Sequence, residues 1–373
     1  MIIITILIAG VVANVTAQSA KYSKADALQA SMDKYTSGGL PGVSLAIFTE
    51  KEGWWTGASG YANIEKKTKM QTSHLQYTQS VSKSYMAVAV LKLWEQEKID
   101  LDAQVTKYLL PRYSRYIRSV NKMTVRMLLN HTSGIPEYAT HPSMTSFVIQ
   151  HPLKDFTVED CLKFIEKEEP QFEPGTKYRY TNTNYQLLSL IVDGITGDHA
   201  KFIEKNIFEP LQLKNSFYAN NHSYLKSLPL THSYWDVLNT GHPADVSAFQ
   251  QVNVSSLKGD DGIVSTPQDA ATYLKGLMEG RLLGDSAMKE MLTFVKDENG
   301  NPKYGMGMFY FDLGGIKAYG HGGGGVGAGC VLMYIPDAKM YLFLATNLGV
   351  LVEGELTKKV DALKNELFMV LMQ

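Results

Sequence analysis

Short apolar runs rich in strand-forming residues lie near both ends of this chain. Residues 42–48 and 54–61 are two such runs, and the polar segment between them fits a hairpin connection. Three more runs lie late in the sequence, at residues 307–313, 328–334 and 340–346, separated by Gly-rich or Pro-Asp turns. The pattern therefore predicts strands from both ends of the chain, with an antiparallel pair near its start.

Helical patterns account for much of the remaining sequence. Residues 23–35 and 351–372 both carry such a pattern. Residues 80–94 have almost no polar face, which predicts a long helix that is buried on nearly all sides. Between residues 101 and 253, helical segments alternate with loops that contain many Pro, Gly, His and Asn residues.

Strands at both ends and helices between them predict an α/β fold of the α+β type. One antiparallel sheet, flanked by helices, is assembled from both ends of the chain, and a mainly helical domain is inserted between its halves. The predicted sheet domain comprises residues 18–79 and 254–373, and the predicted helical domain comprises residues 80–253.

Composition narrows the class of protein. The chain has 373 residues, of which 45% are hydrophobic and 20% are charged, with a net charge of −1. These values are ordinary for a globular protein and exclude a disordered one. No basic face stands out, so we expect no nucleic-acid partner. The two cysteines, Cys161 and Cys330, do not make a disulfide framework and are expected to be unpaired.

The first 17 residues resemble a signal peptide. Residues 2–12 are nearly all apolar, and Val15-Thr16-Ala17 offers the small residues that precede a cleavage site. The run is shorter than the roughly 20 residues that a bilayer span requires. We expect cleavage after Ala17 and a soluble secreted or periplasmic protein without a membrane span. The segment carries no Lys or Arg before the apolar run, and an uncleaved buried segment is the alternative.

A serine followed three positions later by lysine offers a nucleophile and a proton acceptor on one helical face. The spacing alone is weak evidence, because it occurs six times in the chain. Only Ser80, with Lys83, directly opens the long apolar helix. A lysine would not be buried there without a reason. We therefore identify Ser80 as the candidate nucleophile and Lys83 as the group that helps to remove its proton.

Two further motifs complete a candidate site. The first of these, Tyr180-Thr181-Asn182, follows a predicted turn. A tyrosine beside an ammonium can act as a base and then as an acid. The amide of Asn182 can orient Lys83 and bind a substrate carbonyl. Tyr-x-Asn also occurs at Tyr61 and Tyr218, and a structural tyrosine in a loop is the alternative.

The third motif is His321-Gly322-Gly323, followed by a predicted strand. Glycines beside a strand allow a ligand or another backbone to approach closely. The backbone N–H of Gly324 is expected to form an oxyanion hole with that of Ser80. A flexible glycine-rich hairpin with an exposed histidine is the alternative.

Together, Ser80 to Lys83, Tyr180 to Asn182 and His321 to Gly323 resemble the three motifs of the β-lactamase-related serine hydrolases. This group includes class C β-lactamases, D-Ala-D-Ala carboxypeptidases, D-aminopeptidases and esterases. The resemblance covers nearly the whole chain after the leader, including residues 128–134 and 264–266. It implies a β-lactamase/transpeptidase-like fold with the active site between the sheet and the helical domain, and it implies neither a cofactor nor a metal.

The resemblance also implies roles for individual residues. Ser80 is acylated, Lys83 and Tyr180 share the proton transfers, and Asn182 binds the acyl amide. Gly322 and Gly323 line the substrate-binding site, and His321 supports Tyr180 or the leaving group electrostatically. The implied substrate is a small-molecule ester, amide or peptide, including peptides of D-amino acids.

Two departures from the family pattern bear on the substrate. Gly322 stands where many relatives have a threonine whose hydroxyl helps to hold a substrate carboxylate, and Asp260-Asp261 stands where many have glycine, adding negative charge near the cleft. Both favour an ester or amide hydrolase. The alternatives are a penicillin-binding D-Ala-D-Ala carboxypeptidase, a class C-like β-lactamase, or a non-catalytic binding protein, against which the retained serine, lysine and tyrosine argue.

Overall fold

A computed structural model describes residues 22–218 and 229–373 of the chain. The expected leader, residues 1–17 with cleavage after Ala17, lies outside the described residues. Within those two ranges, no helix combines the length and apolarity needed to cross a membrane.

The centre of the structure is a nine-stranded antiparallel sheet built from both ends of the chain. Its strands in chain order are β1 (Gly42–Thr49), β2 (Gly53–Asn63), β3 (Thr68–Lys69), β9 (Val295–Lys296), β10 (Pro302–Tyr304), β11 (Phe309–Asp312), β12 (Lys317–Gly324), β13 (Gly329–Ile335) and β14 (Met340–Thr346). The spatial order is β3-β2-β1-β14-β13-β12-β11-β10-β9. The first and last of these strands, β1 and β14, thus pair with each other near the middle of the sheet, where Val43 lies opposite Thr346.

Two small sheets accompany the large one. The three-stranded sheet has the order β4-β8-β5, and the two-stranded sheet is a pair of β6 and β7. Their bounds are β4 (Gln76–Tyr77), β5 (Ser216–Tyr218), β6 (Tyr234–Trp235), β7 (Ala244–Asp245) and β8 (Ile263–Ser265). The three-stranded sheet places the segment just before Ser80 beside residues from late in the chain.

Thirteen α-helices lie in the described ranges. They are α1 (Ala25–Ser37), α2 (Ser82–Glu95), α3 (Pro111–Ser114), α4 (Val125–Leu129), α5 (Pro142–Gln150), α6 (Val158–Phe164), α7 (Asn182–Thr196), α8 (His199–Ile203), α9 (Glu209–Leu211), α10 (Ser247–Ser256), α11 (Pro267–Met278), α12 (Asp285–Met291) and α13 (Glu355–Met372).

Alternating side chains bury both faces of the central strands. Val43, Leu45 and Ile47 of β1 join the cluster that α1 and α13 cover, whereas Ala46 joins the larger core that contains α2, α7 and α11. Successive side chains of a strand point to opposite faces, so one strand serves both cores. The sequence of a strand that is buried on both faces is a nearly continuous apolar run, and residues 42–48 have such a sequence.

The expected α+β architecture is confirmed, and most predicted elements agree with it. The strands predicted at residues 42–48, 54–61, 328–334 and 340–346 are observed as β1, β2, β13 and β14, each within two residues. Cys161 and Cys330 are both buried and free, as expected. His321-Gly322-Gly323 is followed by β13, as expected, and the motif itself lies inside β12.

Candidate active site

Ser80 lies in a short 3-10 turn, Gln79–Val81, that leads directly into α2. The turn is anchored to the three-stranded sheet, because the backbone N–H and the hydroxyl of Thr78 both donate to the carbonyl of Ile263, over 3.1 and 2.8 Å. The apolar side chains of α2 are almost all buried. Ser80 therefore lies at the head of a buried helix, near the positive end of its dipole.

Lys83 is fully buried and holds its ammonium against three oxygen atoms. Its Nζ donates to Ser80 Oγ over 3.0 Å, to Asn182 Oδ1 over 2.7 Å and to the backbone carbonyl of Asp260 over 2.8 Å. A lysine ammonium has three N–H donors, and all three are satisfied here. The side chain is therefore fixed in one geometry, with one donor on the candidate nucleophile.

Tyr180 and Asn182 flank the start of α7, which places them opposite α2. Tyr180 lies on the loop before α7, and its ring lies under the Lys83 ammonium, with Nζ 5.1 Å from the ring centroid. Asn182 is the first residue of the helix, and its Oδ1 accepts from Lys83. The two predicted motifs therefore meet at Lys83.

Both proton-carrying groups of the site hold their protons at neutral pH. Burial opposes a charge on Lys83, but the neighbouring Tyr180, Asp260 and Asp261 outweigh it and raise the pKa of Lys83 above its ordinary value. Burial raises the pKa of Tyr180 by more than hydrogen bonding to Lys83 and Ser80 lowers it. The resting site thus combines an ammonium at Lys83 with a neutral phenol at Tyr180.

His321 reaches the same region from β12. It is fully buried, with Nδ1 2.6 Å from the carbonyl of Gly322 and Nε2 2.9 Å from Tyr304 Oη. Nδ1 can only donate to a carbonyl, so Nε2 accepts from the phenol. Burial and the charge of Lys83 lower the pKa of His321 to about 3. His321 is therefore a neutral ring, and the expected electrostatic support cannot come from a positive charge on it.

The glycines of the third motif let β12 lie against the turn that carries Ser80. A Cβ placed on Gly323 would come within 2.6 Å of Thr78 O and within 2.9 Å of Gln79 Cβ. Gly324, the expected second oxyanion donor, is the next residue and ends the strand. Gly322 lies between His321 and Gly323, which face this turn. Because successive residues of a strand point to opposite faces, Gly322 faces away from the turn, and a Cβ there would find no atom closer than 4.0 Å.

Asp260 and Asp261 place negative charge beside Lys83 of the site, in agreement with the expected charge near the cleft. Both side chains are buried, and the Asp260 group that accepts from Lys83 is its backbone carbonyl. Burial raises the pKa of Asp260 to about 6 and that of Asp261 to about 7. Their negative charge therefore acts on the ammonium of Lys83 from within the protein.

Sequence analysis did not identify three polar partners of the motif residues. Tyr304 holds His321, Glu137 accepts from the backbone N–H and the Nδ2 of Asn182, and Tyr138 donates to Asp260 Oδ2. Glu137 and Tyr138 follow the predicted family stretch 128–134, which is the only signal in the sequence that points to this region.

Comparison with known proteins identifies the family to which this chain belongs. The family model described as Beta-lactamase matches residues 18–365, which is most of the chain. The chain belongs to the Beta-lactamase family. The resemblance of the three motifs is thereby confirmed.

Solved structures of similar proteins share the fold over nearly their whole length. A D-stereospecific amidohydrolase from a Streptomyces species is 27% identical, with a TM-score of 0.78 and coverage of 91% of this chain and 98% of that one. The D-amino acid amidase of Ochrobactrum anthropi SV3, in complex with L-phenylalanine amide, is 25% identical, with a TM-score of 0.80 and coverage of 94% and 99%.

The alignment with a curated relative covers part of each protein. Protein flp of Staphylococcus aureus strain MRSA252 is 27% identical over 192 residues, which are 51% of this chain and 37% of that protein. The chain thus spans well under half the length of the staphylococcal relatives that it matches.

Proposed function

We propose that this protein is a serine hydrolase that cleaves an amide or peptide bond through an acyl intermediate on Ser80. The observation that carries the proposal is the fully buried ammonium of Lys83, which donates to Ser80 Oγ and is held by Asn182 and the Asp260 carbonyl. Burying an ammonium is costly, and a site that does so beside a hydroxyl at a helix N-terminus is suited to activating that hydroxyl.

The reaction follows from the positions of these groups. Once the Lys83–Tyr180 pair has lost a proton, it accepts the proton of Ser80 as Oγ attacks the substrate carbonyl carbon. The backbone N–H groups of Ser80 and Gly324 receive the negative charge that develops on the carbonyl oxygen. The pair then protonates the leaving amine, the C–N bond breaks, and water repeats the sequence in reverse to release the acid.

The choice of an amide rests on the relatives. Two solved neighbours are named for D-stereospecific amidohydrolase and D-amino acid amidase activity. Gly322 does not add to this choice, because its Cα faces away from the Ser80 turn. Amides of D-amino acids are therefore the proposed substrates, with short esters as accepted analogues.

The test combines a substrate panel with a nucleophile variant. Intact mass is measured after exposure to D-amino acid amides, D-Ala-D-Ala peptides, aryl esters and penicillins, and turnover is followed for each. We expect turnover of D-amino acid amides by the wild type and none by Ser80→Ala. A stable penicillin adduct on Ser80 without amide turnover would favour a penicillin-binding carboxypeptidase instead. Equal labelling of both proteins by a fluorophosphonate would contradict catalysis at Ser80.

The proposed place of action is outside the cytoplasm. The proposal is supported by the apolar run at residues 2–12, by Ala17, and by the family match, which begins at residue 18. N-terminal sequencing of the protein recovered from its natural host is expected to begin at Gln18. Recovery of the chain with residues 1–17 attached would contradict it.

A further inference from the structure

Glu137 and Tyr138 are consecutive residues, and each forms a hydrogen bond with a residue that accepts a hydrogen bond from Lys83. Glu137 Oε2 accepts from the backbone N–H of Asn182 over 2.7 Å and from its Nδ2 over 3.1 Å. Tyr138 Oη donates to Asp260 Oδ2 over 2.8 Å. Asn182 Oδ1 and the Asp260 carbonyl are two of the three acceptors of the Lys83 ammonium.

The hydrogen bond that Asn182 Nδ2 donates to Glu137 decides which way the Asn182 amide faces. A carboxylate accepts hydrogen bonds and cannot donate them, so it selects the NH₂ end of the amide. The opposite end, Oδ1, is thereby turned toward Lys83, where an acceptor is required. The reversed amide would place two donors against an ammonium and an oxygen against a carboxylate, both repulsive.

The bond from Tyr138 fixes the second acceptor. Tyr138 is buried, with 1% of its surface exposed, and its backbone N–H donates to Thr183 Oγ1 in α7. Asp260 lies in a segment between α10 and β8 that has no regular structure. Its carboxylate is buried, and Oδ1 has no hydrogen-bond partner among the described residues. The Tyr138 hydroxyl is thus the side-chain anchor of the residue whose carbonyl contacts Lys83.

We propose that Glu137 and Tyr138 are positioning residues that together hold the Lys83 ammonium against Ser80. Glu137 acts by orienting Asn182, and Tyr138 acts by tethering Asp260. Neither residue contacts Ser80 Oγ. The dipeptide follows the family stretch at residues 128–134, so one short segment sets the geometry of groups contributed by α7 and by the segment before β8. This inference rests on the proposed role of Ser80 as the nucleophile.

The charges around Asp260 agree with this role. The titratable groups that act on its carboxylate are those of Lys83, Tyr138, Glu137, Asp261, Tyr180, Tyr218 and Cys161. Lys83 and the Tyr138 hydrogen bond lower the pKa of Asp260, while burial raises it more. The tether therefore favours the ionised carboxylate, which in turn favours the ammonium form of Lys83.

The experiment measures how fast a fluorophosphonate labels Ser80, as a second-order rate constant over a range of pH. Tyr138→Phe and Glu137→Ala are each expected to slow labelling about 10- to 100-fold, because misplaced catalytic groups cost rates of that order. Glu137→Gln keeps an acceptor oxygen for Asn182 and is expected to recover most of the loss. In an Asp260→Ala background, which removes the acceptor of the Tyr138 hydroxyl, Tyr138→Phe is expected to act less than multiplicatively, since both changes remove the same tether.

Tyr273→Phe is the matched control for a purely structural effect. Tyr273 is equally buried, and its hydroxyl lies 2.8 Å from Ser84 Oγ in α2, but it contacts neither Lys83 nor Asp260. We expect this variant to lose thermal stability while keeping the wild-type labelling rate.

Three outcomes separate the inference from the proposed function. If Ser80→Ala is unlabelled while Tyr138→Phe and Glu137→Ala react as fast as wild type, the positioning role is wrong and the nucleophile stands. If both variants are slowed only as much as Tyr273→Phe, the positioning role is wrong as well. If Ser80→Ala is labelled like wild type, the catalytic assignment itself fails.

Discussion

Lys83 Nζ donates a 3.0 Å hydrogen bond to Ser80 Oγ, and the direction of that bond constrains the chemistry. An ammonium carries no lone pair, so Lys83 in this state cannot accept the serine proton. The base must come from the Lys83–Tyr180 pair after it has released one proton. Activity is therefore expected to rise with pH until the pair has lost that proton.

Replacing Lys83 with methionine tests its role directly. The variant keeps a long side chain in the buried site but removes the ammonium, and we expect acylation of Ser80 to slow by about 10²- to 10⁴-fold. Labelling by a fluorophosphonate gives the rate. Lys92→Met is the control, because Lys92 lies on the same helix and donates instead to the carbonyl of Leu282. A Lys83→Met protein that reacts at the wild-type rate would contradict the mechanism.

Asp260→Asn is expected to move the acid limb of the pH–rate profile to lower pH. The negative charge of Asp260 raises the pKa of both Lys83 and Tyr180. Asparagine keeps an oxygen for the Tyr138 hydroxyl, so the main change is the loss of charge. The difference should shrink below about pH 6, where the wild-type carboxyl itself becomes protonated. The measurement is kcat/KM between pH 5 and 10.

Asp269→Asn provides the control for that profile. It also removes a carboxylate, here half-buried, whose Oδ2 accepts from the backbone N–H of Asn215 and which has no direct contact with Lys83. An acid limb that moves equally in both variants, or that moves to higher pH in Asp260→Asn, would show that the Asp260 charge does not govern the base.

His321 is expected not to titrate across the physiological range. Its pKa is lowered to about 3, so NMR signals of the labelled ring should stay constant from pH 5 to 8. The urea-unfolded protein supplies the reference, in which imidazole titrates near pH 6.5. Since only the unfolded state takes up this proton, His321 also makes the fold less stable as pH falls from about 6.5 toward 3. A midpoint near 6.5 in the folded protein would contradict this account.

Gly323 and Gly322 are expected to differ sharply in their tolerance of alanine. At Gly323 a Cβ would meet Cys330 Sγ and Thr78 O, each at 2.6 Å, so the strand must move away from the Ser80 turn. We expect a loss of about 1–3 kcal/mol in the free energy of unfolding and a large loss of acylation. Gly322→Ala places its methyl group in open space and should be close to neutral in stability. Chemical denaturation of both variants measures the contrast, and equal losses would refute it.

The hydrophobic pattern was sufficient to predict the strands of the sheet that lie at its centre. Each of β1, β13 and β14 is rich in apolar residues because its side chains are buried. β12 lacked that signal, since residues 320 and 322–324 are all glycine and glycine is disfavoured in strands. Its pairing with β13 along residues 319–324 is a tertiary effect that overrides the local preference.

The motif residues of the site were predictable, and their partners were not. Ser80 stood out from six equivalent spacings because a charged residue three positions later falls on a buried face. The third acceptor of Lys83 is a backbone carbonyl 177 positions away, at Asp260, and every residue carries such a group. No side-chain pattern can mark it, and the same holds for the orienting hydrogen bonds that Asn182 donates to Glu137.

The pairing of β1 with β14 determines when the site can exist during synthesis. Thr346 Oγ1 donates to the carbonyl of Gly42 across 304 positions of sequence. A ribosome therefore has to release almost the entire polypeptide before the central sheet can close, and contacts of such separation are slow to form. Until then β12 cannot rest against the Ser80 turn. The hydrolase should consequently emerge from translation inactive, and chains shortened before residue 340 should never gain activity.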